Sequence, residues 1–113
     1  MGRVRRVLCI VGLLVPALVW AADGDATKGK PIYNAQCAIC HGKTGGGDGP
    51  VGKSLSPRPK AFSAGSLPSD DEMFKVIQKG GKANGLSKDM DAYPQFSDQQ
   101  IWDVIAYIRT LTK

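Results

Sequence analysis

Residues 37–41 read Cys-Ala-Ile-Cys-His, and this run constrains the fold more than any other part of the chain. Two thiols separated by two residues can each add across one vinyl group of a haem, so that two thioether bonds attach the porphyrin to the chain. The next residue then lies under the iron, where its imidazole can serve as the proximal ligand. Cys37, Cys40 and His41 therefore predict one covalently attached haem c, around which the rest of the chain has to fold.

Other interpretations of this run are a plain disulfide, a zinc site and a thioredoxin-like redox pair. An exported protein can hold a disulfide between Cys37 and Cys40, but a bridge that closes so small a loop would add little stability. A structural zinc ion needs four ligands, whereas His41 is the only histidine and the third cysteine, Cys9, lies near the N-terminus. A thioredoxin-like pair needs a βαβ context, which the chain does not show. The pattern favours haem.

The N-terminal segment has the order of a secretory signal peptide. Three arginines within residues 3–6 precede an apolar stretch over residues 7–19, and acidic residues follow at 23 and 25. We expect cleavage after Ala21, which divides the chain into a signal peptide, 1–21, and a mono-haem domain, 22–113. The alternative is an uncleaved membrane anchor, but the 16-residue apolar run that ends at Ala22 is shorter than the roughly 18–20 residues that span a bilayer. Cleavage would place the protein in the periplasm, not integral to a membrane.

The predicted cleavage changes the charge of the working domain. The whole chain has a formal net charge of +5. Because residues 1–21 contain three arginines and no acidic residue, removing them from the 113-residue chain leaves 92 residues with a net charge of +2. Two haem propionates would offset most of that charge. We therefore expect no nucleic-acid partner.

The first of three helical patterns in the remaining chain runs from about residue 25 to residue 38, and the haem motif lies at its end. Proline is tolerated in the first turn of a helix but not in its interior. Pro31 therefore predicts that this helix starts near residues 28–30.

The second helical pattern covers residues 69–79, where Ser69 and Glu72 fit a capping box and Gly80-Gly81 supply the end. The third covers residues 97–111, which opens on another capping box and has apolar residues at helical period. No segment alternates as a strand would.

Long segments rich in glycine and proline, 42–68 and 81–96, separate these helices. Loops of that length normally argue against a compact domain, and a chain of about 90 residues is only marginally stable without help. A large apolar cofactor answers both objections because the loops can wrap around its faces. The sequence therefore predicts an all-α fold, a small cytochrome c fold with three main helices and long loops wrapped around one covalent haem.

The chain resembles the class I c-type cytochromes, in particular the small bacterial mono-haem cytochromes c. The resemblance covers residues 25–113 and implies that the first and last helices cross at close range, where Gly29 would let the backbones approach and Tyr33 would pack near Val104 and Tyr107. It rests on three motifs: Gly29-x3-Tyr33-x3-Cys37-x-x-Cys40-His41, then Met90 with Ala92-Tyr93-Pro94, and finally Asp103-Val104-Ile105-Ala106-Tyr107-Ile108.

The resemblance also implies a set of ligands and supporting residues. Met90, in a polar late loop, is the expected distal iron ligand, whereas the helical stripe around Met73 explains that residue as core. A five-coordinate iron or a lysine ligand is the alternative. The carbonyl of Pro50, nine residues after His41, would accept a hydrogen bond from the proximal imidazole. Tyr93 is a candidate hydrogen-bond donor to a haem propionate.

These features favour an exported electron carrier over an enzyme. Electron transfer needs an iron with both axial positions filled, and a thioether ligand raises the reduction potential compared with two imidazoles. The alternatives are a haem enzyme or gas or redox sensor with an open or weakly held sixth position, and a membrane-anchored subunit of a larger redox complex. We expect redox proteins as donors and acceptors. They would dock through a lysine cluster, whose alternative role is an ordinary solvated surface: Lys75, Lys79, Lys82 and Lys88.

Overall fold

The computed structural model describes residues 24–112, and all regular structure in that range is helical. Two short 3₁₀ turns, Gly52–Ser54 and Lys82–Asn84, lie in the long loops. The prediction of an all-α fold is confirmed. The four α-helices are α1 (Ala26–Gln36), α2 (Ala38–His41), α3 (Asp70–Lys79) and α4 (Asp98–Thr110).

The predicted signal peptide, residues 1–21, lies outside the range that the structure describes. Within that range, no helix combines the length and the apolar character needed to cross a bilayer.

Helix α1 begins earlier than Pro31 led us to expect. The Asp25 side chain caps it by accepting a 2.9 Å hydrogen bond from the Thr27 N–H, and Pro31 lies inside the helix. The predicted start at residues 28–30 is therefore wrong. Proline removes the N–H that would bond to the carbonyl of Thr27, but Thr27 and Pro31 are both exposed, so water can hydrate that carbonyl.

The ends of α3 and α4 agree with the sequence prediction. Ser97 and Gln100 form a full capping box at the start of α4. Ser69 accepts a 3.2 Å hydrogen bond from the Glu72 N–H at the start of α3. The return bond from the Glu72 side chain to the Ser69 N–H is not formed within residues 24–112, so the capping box predicted there is half formed. Gly80 ends α3 with a φ of 89°. These boundaries depend on neighbouring residues only, which explains why the sequence predicts them well.

The core is built where α1 crosses α4, the most extensive contact between helices in the described range. A Cβ atom at Gly29 would overlap the carbonyl oxygen of Asp103, so the two backbones approach as only glycine allows. Tyr33 is fully buried, and its ring centroid lies 5.4 Å from that of Tyr107. The close crossing and the position of Tyr33 are confirmed.

Among the described residues, one acidic side chain is buried in this core. Asp103 is 4% exposed, and its Oδ1 accepts hydrogen bonds from the backbone N–H of Asp25 at 2.7 Å and from Nε2 of Gln99 at 3.0 Å. A buried carboxylate is tolerated when it is hydrogen-bonded. Here it connects the start of α1 to α4. The buried apolar cluster continues onto α3 and comprises Tyr33, Cys37, Met73, Ile77, Ile101, Val104, Ile105 and Ile108.

Candidate cofactor site

An apolar cavity of about 160 Å³ opens between the helices and the long loops. Among residues 24–112, His41 contributes the one ionisable nitrogen group on its wall. A large apolar ligand would bury these side chains from water, at a gain of roughly 25 cal/mol per Å² of apolar surface. The lining residues are Cys37, His41, Phe62, Leu67, Pro68, Met73, Val76, Ile77, Leu86, Met90 and Ile108.

The Cys-x-x-Cys-His run lies at the junction of α1 and α2. Cys37 ends α1, donating from its backbone N–H to the carbonyl of Tyr33 at 2.8 Å, and its side chain is buried. Cys40 and His41 belong to α2 and are half-buried. No disulfide bond joins Cys37 to Cys40. Burial, and secondarily the proximity of Cys40, raises the pKa of the Cys37 thiol to about 12.

The described residues also contain no group of three or more histidine, cysteine or acidic side chains that could hold a metal ion. Cys37, Cys40 and His41 are therefore not arranged as a closed cluster. A haem motif does not require such a cluster, since its thiols bind carbon and only its imidazole binds metal.

Helix α2 is a single turn, and the glycine-rich loop that follows it satisfies all four of its carbonyl groups. A helix end leaves such carbonyls without partners inside the helix. Gly42 adopts a φ of 88°, which L side chains rarely adopt, and this turns the chain back along α2. The bonds are Gly42 N–H to Ala38 at 2.8 Å, Val51 N–H to Ile39 at 2.9 Å, Gly49 N–H to Cys40 at 3.2 Å and Gly47 N–H to His41 at 2.7 Å.

The imidazole of His41 is held by stacking and not by a hydrogen bond at Nδ1. Its ring stacks on Phe62, with centroids 4.9 Å apart and planes inclined by 21°. Nδ1 is buried and has no hydrogen-bond partner among residues 24–112. Burial lowers the pKa of His41, which favours the neutral imidazole that a metal requires.

The hydrogen bond expected between His41 and the carbonyl of Pro50 is not formed in this structure. The peptide that joins Pro50 to Val51 directs its N–H to the carbonyl of Ile39 at 2.9 Å. In a trans peptide the C=O points opposite to the N–H, so the Pro50 carbonyl points away from Ile39. Pro50 itself is exposed.

Met90 reaches the cavity from the loop that follows α3. Its carbonyl accepts a 2.9 Å bond from the Gly81 N–H, directly beyond the end of α3. Asn84 stabilises the turn after α3 by donating hydrogen bonds from Nδ2 to the carbonyls of Lys75 and Gly80, at 3.1 and 2.9 Å. Met73 also lines the cavity, from α3 and with 6% exposure. The structure thus brings both candidate methionines to the cavity that contains His41.

Tyr93 lies beside this loop and not on the cavity wall. Its hydroxyl donates a 3.1 Å hydrogen bond to the carbonyl of Gln36, at the end of α1, and its ring stacks on Phe96 with a centroid distance of 5.2 Å. Burial, with smaller contributions from the charges of neighbouring residues, raises the pKa of this hydroxyl. A hydrogen bond from Tyr93 to a haem propionate stays a prediction.

Three residues of this site were missed by sequence reasoning. Phe62 is the one aromatic in a segment rich in proline, serine and glycine, and that isolation was an available signal. Asn84 follows a Gly-Gly helix end, where its amide can reach carbonyl groups. Arg109 donates from Nη2 to the carbonyl of Pro68 at 2.8 Å and from Nε to Asp70 at 2.8 Å, bracing the cavity wall. No local pattern indicates the Arg109 contacts.

The site fits a covalent haem on the chemistry of its own groups. A half-buried imidazole lies on an otherwise apolar wall, with one cysteine thiol and two thioethers on the same cavity. The cavity would hold the porphyrin between apolar side chains, Cys37 and Cys40 would attach it, and His41 would offer nitrogen to iron.

Comparisons with known proteins agree with this chemistry. Residues 24–108 match the model of the family described as cytochrome c oxidase, cbb3-type, subunit III. The chain is similar to cytochrome c-554(547) of Halothiobacillus neapolitanus, with 33% identity over 78% of this chain and 98% of that protein. It is also similar to a cytochrome c-553-like protein of Synechocystis, with 30% identity over 82% of this chain and 75% of that protein.

Two longer proteins are similar over part of their length. The thiosulfate dehydrogenase of Allochromatium vinosum is 27% identical over 89% of this chain, which spans only 37% of the dehydrogenase. Among solved structures, a chain of the reducing HAO-like protein complex of Kuenenia stuttgartiensis superposes with a TM-score of 0.66 and 28% identity. The match covers 78% of this chain and 43% of that one.

Proposed function

The chain belongs to the c-type cytochromes of the cbb3-type cytochrome c oxidase subunit III family, and we propose that it is an exported carrier of single electrons whose iron is ligated by His41 and Met90. Family membership brings a covalently bound haem c with iron and a role in electron transfer. The observation that carries the finer proposal is that Cys37, His41 and Met90 line one apolar cavity.

The chain would supply the covalent attachment of the haem, two ligands to its iron and an apolar environment around it. Cys37 and Cys40 would hold the haem through thioethers, while His41 from α2 and Met90 from the loop after α3 would ligate the iron. When bound, haem supplies a metal that changes its oxidation state by one electron. Two protein ligands keep the coordination similar in both states, and a thioether favours the reduced one. The apolar wall of the cavity would keep water away from a bound haem.

The ligand assignment is tested with two variants of the oxidised holoprotein. Met90→Ala should remove the sulfur-to-iron charge-transfer band, lower the reduction potential and open the iron to added imidazole or cyanide. Met73→Leu is the matched control, because Met73 lines the same cavity and leucine has a similar volume. It should leave all three properties nearly unchanged. The opposite pattern would assign the iron ligand to Met73.

Export follows from the charged and apolar pattern of residues 1–21. Haem attachment to an exported chain takes place after translocation, so the holoprotein should be found in the periplasm. Mass spectrometry of the purified holoprotein should give a mature N-terminus at Ala22. A haem-loaded protein that retains Met1 or the apolar segment would identify an anchor instead.

The partners we propose are redox proteins with acidic docking surfaces. Lys75 and Lys79 lie on α3, while Lys82 and Lys88 lie in the loop that leads to Met90, and all four are exposed. This loop also carries Leu86, which is 56% exposed and lines the cavity. An acidic partner steered to these lysines would meet the chain beside the cofactor site.

A second candidate function is oxidation of a small sulfur anion, which the similarity to thiosulfate dehydrogenase favours. An anion site needs charged or hydrogen-bonding donors, whereas the described cavity wall is apolar apart from His41. Incubating the oxidised holoprotein with thiosulfate tests the two functions against each other. An electron carrier should show no catalytic, thiosulfate-dependent reduction of an added acceptor.

A further inference from the structure

A ligating imidazole normally has its ring plane set by a hydrogen bond from the nitrogen that does not bind the metal. Nδ1 of His41 is buried, and no residue in the described range 24–112 accepts a bond from it. The carbonyl of Pro50 does not supply one. The ring plane of His41 must therefore be set by something other than a hydrogen bond at Nδ1.

Phe62 is the group that faces the imidazole. The two rings are nearly parallel, with an interplanar angle of 21° and a centroid distance of 4.9 Å. Aromatic pairs in such arrangements attract each other beyond the effect of the apolar area they bury. A ring of this size beside His41 also restricts rotation of the imidazole, because any large rotation would drive its edge into the phenyl face.

Phe62 is itself held by the loop that caps α2. Its backbone N–H donates to the carbonyl of Gly45 at 2.8 Å, and the Gly45 N–H donates to the carbonyl of Gly42 at 3.0 Å. The phenyl ring also meets Tyr33 edge-on, at a centroid distance of 6.5 Å. Two backbone hydrogen bonds therefore connect Phe62 to Gly42, the residue that follows His41, although Phe62 and His41 are far apart in sequence.

We propose that Phe62 is a positioning residue that sets the ring plane of His41 and keeps water from its Nδ1. The inference rests on the proposed ligation of iron by His41. Replacing the phenyl ring should have two effects. The imidazole would gain rotational freedom, and water would reach Nδ1 and accept a hydrogen bond there. A hydrogen-bonded imidazole is a stronger donor to the metal, so the oxidised iron would be stabilised and the reduction potential would fall.

The test is proton NMR of the oxidised holoprotein, combined with redox titration. The shifts of the four haem methyl groups depend on how the axial ligand planes are oriented. Phe62→Leu should change the spread of these shifts and lower the potential, whereas Phe62→Tyr keeps the ring and should restore the wild-type pattern. Phe62→Met, which is unbranched and flexible, is measured alongside in case leucine impairs haem incorporation. Wild-type methyl shifts in both ring-deleted variants would overturn the proposal.

Phe74→Leu is the matched control. Phe74 is also a half-buried phenylalanine in contact with another ring, that of Trp102, at a centroid distance of 4.5 Å and an interplanar angle of 34°, but it does not line the cavity. The Phe74→Leu variant should be less stable than the wild type, but its haem methyl shifts and its reduction potential should be unchanged. The wild-type spectrum separates the two hypotheses. If wild-type protein lacks the signals of an iron-bound methionine and histidine, the proposed ligation fails. If it has them and Phe62→Leu changes nothing, only the role of Phe62 fails.

Discussion

The hydroxyl of Tyr33 donates a 2.6 Å hydrogen bond to the carbonyl oxygen of Gly42, the residue directly after His41. Burial, followed by the influence of Cys37, raises the pKa of this hydroxyl, so it remains a donor at physiological pH. Because Tyr33 belongs to the crossing of α1 and α4, the bond connects the helical core to the turn that follows His41. Tyr33 therefore links the core to the site through its hydroxyl.

Removing this hydroxyl should cost a moderate amount of stability. The Gly42 carbonyl also accepts a bond from the Gly45 N–H, so Tyr33→Phe would not leave it wholly unpaired. We expect a loss of about 1 kcal/mol, which corresponds to roughly 4–8 °C in the melting temperature of a domain this small. Thermal unfolding of the holoprotein, followed by circular dichroism, measures it. Tyr107→Phe is the control, because the Tyr107 hydroxyl makes no hydrogen bond within residues 24–112. An equal loss in both variants would contradict the assignment.

Gly81→Ala should displace the Met90 loop. A Cβ atom at Gly81 would overlap the carbonyl oxygen of Ser87 and approach Cβ of Met90 to 3.2 Å. The loop would have to move to relieve the overlap, so the oxidised holoprotein should bind added imidazole more readily and show a weaker sulfur-to-iron band. Gly65→Ala is the control, since a Cβ there meets no atom within 4 Å. Unchanged ligand binding in Gly81→Ala would show that the loop tolerates the shift.

The haem should be inseparable from the polypeptide. Acid–acetone extraction of the holoprotein should leave the colour with the chain, because thioether bonds survive the solvent. Replacing Cys37 and Cys40 together by serine should abolish the colour and leave a largely unfolded chain, since the apolar cavity wall would face water. Poorly dispersed proton NMR spectra would confirm the unfolding. Ile39→Ser, at a position 51% exposed between the cysteines, should retain both colour and fold. Extraction of wild-type haem into the solvent would exclude the attachment.

Docking should depend on the lysines near the Met90 loop. Reversing Lys79 and Lys82 to glutamate should slow electron transfer to the physiological partner at low salt. The difference in rate between the variant and the wild type should decrease as salt is added, because the screening length is only about 10 Å at 0.1 M salt. Stopped-flow kinetics at several ionic strengths measures this. Reversing the exposed Lys28 and Lys30 on α1 changes the net charge equally, so it controls for the overall charge. Equal slowing by the two double variants would leave the loop without a specific role.

The sequence by itself determined the features that depend on near neighbours. The motif at 37–41 specified the cofactor, because the spacing of its thiols and imidazole is a covalent requirement. Ser69, Gly80 and Ser97 specified helix ends, because a cap is a bond between residues two to four apart. Even the local prediction was wrong at the start of α1. Pro31 was assigned to the first turn of α1, although Asp25 provides a cap that starts the helix earlier.

Only the tertiary structure decided which groups face His41. Phe62 lies 21 residues after His41, and no local pattern predicts their stacking. The same holds for the direction of the Pro50 carbonyl, which follows from the bond between Val51 and Ile39, and for the arrival of both Met73 and Met90 at one cavity. These contacts come from folding a long glycine-rich loop back on α2 and from packing α3 against α4. The energies of these contacts depend on the distances between segments that are remote in sequence. The residue order alone does not give those distances.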